Sequence, residues 1–292
     1  MKSMPRTMSQ AVLTITIGCG LLLGWAGTAQ AAVKYWIGAA GNFSDNTRWS
    51  TTSGGANDTT APGSADVATF DNNGAGNCTL DAAVNVAGID IKGGASAYTG
   101  AISQTAGVNL TIGTSGFSQA GGTFNAGDAT ITVTGNWTIS GGTFNAQTST
   151  VVFRPSLTVT GSHTLNHVRL DSNKNNFQTL TIASGTTVTV TGTLTLDNTS
   201  TGSTSLQTGT LAAQGAITVD DRDYGSGTGT ILINGAGDQT FTTVTSGWLP
   251  NITINKPSGT LTFSGPYIRT EESFTYTAGT GTNGTVTAYL NG

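Results

Sequence analysis

The sequence predicts an all-β chain wound as a parallel β-solenoid, or β-helix, and three observations point to it. The first is a pair of identical hexapeptides, Gly121-Gly122-Thr123-Phe124-Asn125-Ala126 and Gly141-Gly142-Thr143-Phe144-Asn145-Ala146. Their spacing of roughly 20 residues is one rung of a solenoid, so they read as the same corner of two successive turns. The second lies between them: residues 129–134 (ATITVT) and 136–140 (NWTIS) alternate apolar with polar side chains, the period of a strand with one buried face. The third is a ruler. Apolar-x-apolar pairs recur at Ile89/Ile91, Leu110/Ile112, Ile131/Val133, Val151/Phe153, Val168/Leu170, Val188/Val190, Ile231/Ile233, Ile252/Ile254 and Phe274/Tyr276, with Thr210-Leu211 filling the one gap. This predicts about ten rungs at a mean step of about 20 to 21 residues.

Composition agrees with one elongated domain. The 292 residues are 36% hydrophobic and 9% charged, with 42 glycines; so little charge beside so many β-branched residues argues for stacked strands over a flexible linker.

Residues 1–31 read as a secretory signal peptide. Lys2 and Arg6 form a basic start, residues 11–27 an apolar run containing Leu21-Leu22-Leu23, and Ala29-Gln30-Ala31 a small-x-small cleavage site. The run is short of the ~20 apolar residues of a membrane span, and Thr16-Ile17-Gly18-Cys19 is a poor lipoprotein signal. Cleavage after Ala31 is expected, giving a secreted or cell-surface chain with no transmembrane span. Losing Lys2 and Arg6 changes the net charge from −4 to −6. The remaining Lys and Arg are scattered, which argues against nucleic acid as a partner. Only Cys78 survives cleavage, so no intramolecular disulfide is expected.

Residues 32–83 are expected to form an N-terminal cap and a connection. Tyr35, Trp36, Phe43 and Trp49 concentrate aromatics in a chain otherwise poor in them, just where the open end of a solenoid must be covered; aromatic sugar binding is the alternative. Residues 51–83 hold one strand at 66–70 and a turn at 71–76, marked by Asn73-Gly74. Asp71 stands too nearly alone for a calcium loop.

The solenoid proper is expected over residues 84–292. Residues 187–196 (TVTVTGTLTL) show its clearest alternation, apolar inward and threonine outward. Residues 150–153 resemble 230–233, and 167–171 resemble 251–255, suggesting a longer unit of about four rungs. Alternation continues through residues 285–290, so the expectation is either a fragment of a longer protein or self-association through a C-terminal edge.

The pattern W-x-G-x-x-G-N-F-S-D-x-x-x-W from Trp36 to Trp49, then residues 62–70 (PGSADVATF), then Gly/Thr-rich rungs, resembles the start of passenger regions in bacterial autotransporter-type and related β-solenoid surface proteins. The resemblance is one of layout over most of the mature chain. It implies a right-handed parallel β-helix, at the cell surface or released, in adhesive or matrix roles. No translocator barrel, sorting motif or membrane tail is read after the rungs.

Chemistry-bearing clusters are few. His163 and His167 are four apart, which on a strand separates them by ~13 Å, too far to share a metal. Asp220-Asp221-Arg222-Asp223 is the one acidic cluster. It reads as a solvated turn, with Asp220, Asp221 and Asp223 a weak calcium candidate. A carboxylate pair for glycoside hydrolysis would need His, Lys or Arg at its subsites, and only Arg222 is near. The glycine run at residues 225–229 lacks the helix and Lys of a phosphate loop, and no G-x-S-x-G elbow occurs. No catalytic or cofactor-binding residue is assigned and no cofactor is expected. The expectation is therefore a structural or adhesive solenoid, not an enzyme, whose partners are other surface or matrix molecules, glycans included. The alternatives are a polysaccharide lyase or glycoside hydrolase on a β-helix, and an ice-binding face built from Thr-x-Thr pairs such as Thr130/Thr132 and Thr187/Thr189.

Overall fold

Parallel pairing begins with the first described strand. The computed structural model describes residues 31–292 apart from 155, 172–177, 198–203, 221–223, 245–247, 271, 284–286 and 291–292, so Asp221, Asp223 and the expected signal peptide up to Gln30 lie outside the described residues. Ala32–Trp36 pairs in parallel with Asp66–Phe70, and that strand with residues 88–91. From there the strands stack on three faces around one apolar core.

The first face is the longest. Nine successive parallel pairings join residues 84–86, 110–112, Thr130–Val133, Thr150–Phe153, His167–Asp171, Leu194–Asp197, Ile217–Val219, Gln239–Thr243, 261–264 and 281–283. This is a parallel β-solenoid of about nine turns, one fewer than the ten rungs expected, because Val168/Leu170 on the first face and Val188/Val190 on the third belong to the same turn. The second face stacks residues 116–119, Trp137–Ile139, Leu157–Thr160, Gln178–Ile182 and Thr204–Gln207. The third face is two stacks. Gly41–Asn42, Cys78–Leu80, Ala101–Gln104, Thr123–Asn125 and Thr143–Asn145 form one. His163–Leu165, Thr187–Val190, Thr210–Ala213, Thr230–Ile233 and residues 252–254 form the other.

The hexapeptides lie one above the other, as their identity requires. Thr143, Phe144 and Asn145 sit in register on Thr123, Phe124 and Asn125, the two phenyl rings stack with centroids 5.4 Å apart, and Asn145 Nδ2 donates to Asn125 Oδ1 at 2.8 Å. Each copy turns its corner at a glycine in the left-handed region, Gly122 (φ +57°) and Gly142 (φ +73°), where a Cβ is unfavourable.

The ruler, however, changes face. Ile89/Ile91 belongs to the second face, the pairs from Leu110/Ile112 to Val168/Leu170 to the first, and those from Val188/Val190 onward to the third. The true step is uneven, from 17 residues (Val151 to Val168) to 26 (Val168 to Leu194). The suggested longer repeat dissolves for the same reason: Thr150–Phe153 lies on the first face and Thr230–Ile233 on the third. Tyr276, expected to face inward, is 59% exposed.

The aromatic cap is built into the end of the stack. Trp36, Trp49 and Phe70 are fully buried and Phe43 nearly so, meeting edge-on or tilted with centroids 4.9 to 6.0 Å apart. Burial of an indole needs a partner for its N–H: Trp36 Nε1 donates to the Gly76 carbonyl at 2.8 Å and Trp49 Nε1 to that of Phe43 at 2.9 Å. Trp49–Ser50 also pairs antiparallel with Tyr35–Trp36, covering the edge that the first strand would otherwise leave bare.

One corner further along is held by polar groups. Lys256 is buried and its ammonium donates to the carbonyls of Gly235 (2.7 Å) and Gly237 (2.9 Å) and to Gln239 Oε1 (2.7 Å). Three acceptors match its three N–H donors. Burial holds its pKa below the usual lysine value, and Asp238 opposes that shift.

Candidate functional site

The densest set of ionisable side chains lies at one corner of the first face. There Asp171 and Asp197 end their strands, and Arg154 and Asp220 directly follow theirs, one residue per turn. Asp171 and Asp197 are direct register partners, and the pairing of Leu196 with Val219 places Asp220 beside Asp197, its backbone N–H donating to Leu196 O at 2.9 Å. Adjacent strands are ~4.8 Å apart, which brings the carboxylates within mutual reach. Only Asp220 of this ladder belongs to the cluster read from the sequence. Asp171 and Asp197 were missed because their neighbours are one turn away in space and 26 and 23 residues away in the chain. The signal was present as apolar-Asp endings in Leu170-Asp171, Leu196-Asp197 and Val219-Asp220.

Arginines take up these carboxylates. Arg154 Nε lies 3.2 Å from Asp171 Oδ2, and Arg169 Nη2 pairs with Asp197 Oδ2. Asp171 is 4% exposed, so no polymer chain reaches it as the structure stands. Burial pushes the Asp197 carboxyl above its usual range; Arg169 works against this, and Asp171 and Asp220 add to it. The folded state therefore holds the Asp197 proton more tightly than the unfolded chain. Ionised Asp197 costs stability at neutral pH, and stability recovers as pH falls through the folded pKa toward 3.8. The expected result is that Asp197→Asn melts no lower than wild type at neutral pH, with any advantage shrinking in acid; thermal melts across pH check it.

The other candidates do not converge. His163 and His167 belong to different faces: the first turns its ring to Trp137, the second accepts from Thr193 N–H at 2.9 Å through Nδ1. Asp71 closes its own turn, accepting from Asn73 N–H at 2.9 Å and from Ser53 Oγ at 2.5 Å. The glycine run is tied into the stack, where Ser226 bridges to Ser205 and Leu206 N–H donates to Ser226 O. Among the described residues no group of three or more His, Cys, Asp or Glu could hold a metal ion. No described helix is long and apolar enough to cross a membrane.

Two surfaces remain. A pocket of about 330 Å³ beside the cap is lined by Phe43, Ser44, Pro62, Asp81 and Asn85 among others. Burial works against the Asp81 charge, but hydrogen bonds from Ser44 N–H (3.1 Å) and Oγ (2.5 Å) outweigh it and hold the carboxyl below its usual range. Trp36, Phe43 and Trp49 point into the core and offer no flat platform for a sugar, while Tyr35 is half-buried outside that core. The outer surface of the first face carries ladders of hydroxyls: Thr111 on Thr132, Thr130 on Thr150, Thr195 on Thr218 on Thr242, and Thr240 on Thr262 on Thr282. These ladders are broken midway by Val152, His167 and Arg169. Thr130/Thr132 and Thr187/Thr189 lie on different faces, so they do not combine into one regular array. No protein-family model, curated protein sequence or solved structure matches this chain at a significant level.

Proposed function

We propose that this chain is an exported scaffold, held at the cell surface or released, with a structural or adhesive role like that of the autotransporter-type solenoids its N-terminal pattern resembles. The observation that carries the reading is the division of polar groups. Two carboxylates of the acidic ladder, Asp171 and Asp197, are engaged with Arg154 and Arg169, whereas the outer face on either side of the break at Val152, His167 and Arg169 presents ladders of uncharged hydroxyls. Repeated donor-acceptor groups along an extended surface suit neutral, repeating partners such as glycans or matrix proteins. They supply no acid-base pair for bond cleavage. The signal-peptide pattern of residues 1–31 supports export.

Residues 32–292 on a glycan and matrix-protein array test the role. Saturable binding to a defined glycan or protein supports it. Release of reducing sugar or unsaturated product from acidic polysaccharides would replace it with the lyase or hydrolase reading. Expression of the full sequence in a secreting host should yield an exported chain whose first residue is Ala32; retention inside the cell with residues 1–31 attached would overturn the export part.

A further inference from the structure

The third face is interrupted, and one histidine at the interruption is bonded to Trp137, whose ring packs edge-on against Phe144 on the other side. Thr143–Asn145 pairs on one side with Thr123–Asn125, while the next strand of that face, His163–Leu165, pairs only with Thr187–Val190 among the described residues. The other two faces run through the same level unbroken, Thr150–Phe153 on His167–Asp171 and Trp137–Ile139 on Leu157–Thr160. The identical hexapeptides register the difference. Phe124 and Ala126 are fully buried, while Phe144 and Ala146, in the same sequence one turn on, are only half-buried. The seam leaves the second copy partly uncovered.

His163 occupies the inward position that Val188 and Leu211 fill in the following turns. Its ring reaches across to the second face. Nε2 accepts the Trp137 indole N–H at 3.0 Å, and Nδ1 lies 2.7 Å from the Gly161 carbonyl. Gly161 is itself pressed onto the preceding turn, where a Cβ would sit 1.8 Å from the Ile139 oxygen. The two bonds require a neutral imidazole with its proton on Nδ1, since an imidazolium has no acceptor and would set Nε2–H against the indole N–H. From these contacts we infer that His163 is a pH-operated latch across the seam: it closes the third face at neutral pH and releases Trp137 when its ring is protonated.

The groups facing the ring are uncharged: Trp137 on the second face, Gly161 at the corner and Val188 in the next turn. The nearest titratable side chain in its own segment, His167, is turned to Thr193. Burial lowers the His163 pKa below 6.5, the Gly161 bond works against that, and no charged group contributes. A base whose pKa is lower closed than open is protonated preferentially in the open state. The latch is therefore at full strength above about pH 6.5 and weakens as pH falls below it.

Hydrogen exchange on residues 32–292 from about pH 7.5 to about pH 4.5, corrected for the intrinsic pH dependence, tests this. Opening at residues 143–145 and 163–165 should rise by up to about tenfold per pH unit below about 6.5, while residues 231–233 stay protected. His163→Gln should flatten that rise. Independently of any variant, nitrogen NMR of the wild-type ring should find the Nδ1–H tautomer and a midpoint below 6.5. An unchanged acid profile in His163→Gln, a flat profile in wild type, or a ring titrating at or above 6.5 would each overturn the latch.

Discussion

Val133→Asp lowers the melting temperature of residues 32–292 by on the order of 10 °C, while Thr132→Asp beside it shifts it by no more than about 2 °C. Val133 is fully buried between its register partners Ile112 and Phe153; a carboxylate there has no partner and costs about 4 kcal/mol or more. In a chain of this size each kcal/mol is worth about 2 to 4 °C. Thr132 points outward between Thr111 and Val152, where a charge stays in water and costs about 0 to 1 kcal/mol. Equal melting of the two variants would mean that the strand is turned the other way, since a one-residue slip exchanges its faces.

Gly161→Ala is expected to destabilise by about 3 kcal/mol or more, against about 1 to 2 kcal/mol for Gly185→Ala. Both glycines are in the left-handed region, Gly161 at φ +87° and Gly185 at φ +76°, so both variants carry the same backbone strain. They differ in what the new methyl meets. At Gly185 nothing lies within 4 Å, whereas at Gly161 the Ile139 carbonyl oxygen is 1.8 Å away, a backbone atom that moves only if two turns separate. Urea melts of the pair isolate the contact from the conformation, and equal losses would show that the turns at this corner are not in close contact.

The acidic ladder is the feature that the proposed scaffold role has to account for. An Asp cluster in a solenoid is an ordinary starting point for an acid-base site. Here the register brings together Asp171, Asp197 and Asp220, and it also brings the arginines that occupy two of them.

What the sequence determined by itself is the strand content, the inward and outward sense of the strands with the exception of the one carrying Tyr276, and the stacking of the two hexapeptides. All three follow from local rules: side chains alternate with period two, glycine marks the corners, and identical segments fit best upon one another. The aromatic end was legible too, because four large rings near one terminus have few other places to go than over an open core. What only the tertiary structure decided is which face each strand joins, and hence every neighbour more than one strand away. All three faces bear the same apolar-x-apolar pattern, so a ruler laid along the chain passes from one face to another without a signal. The length of a turn is set by its connections, which vary from 17 to 26 residues per step between neighbouring strands of the first face. The acidic ladder, the break in the third face and the position of His163 at it all depend on those lengths. They come from the register between turns, which is settled only when the whole core packs.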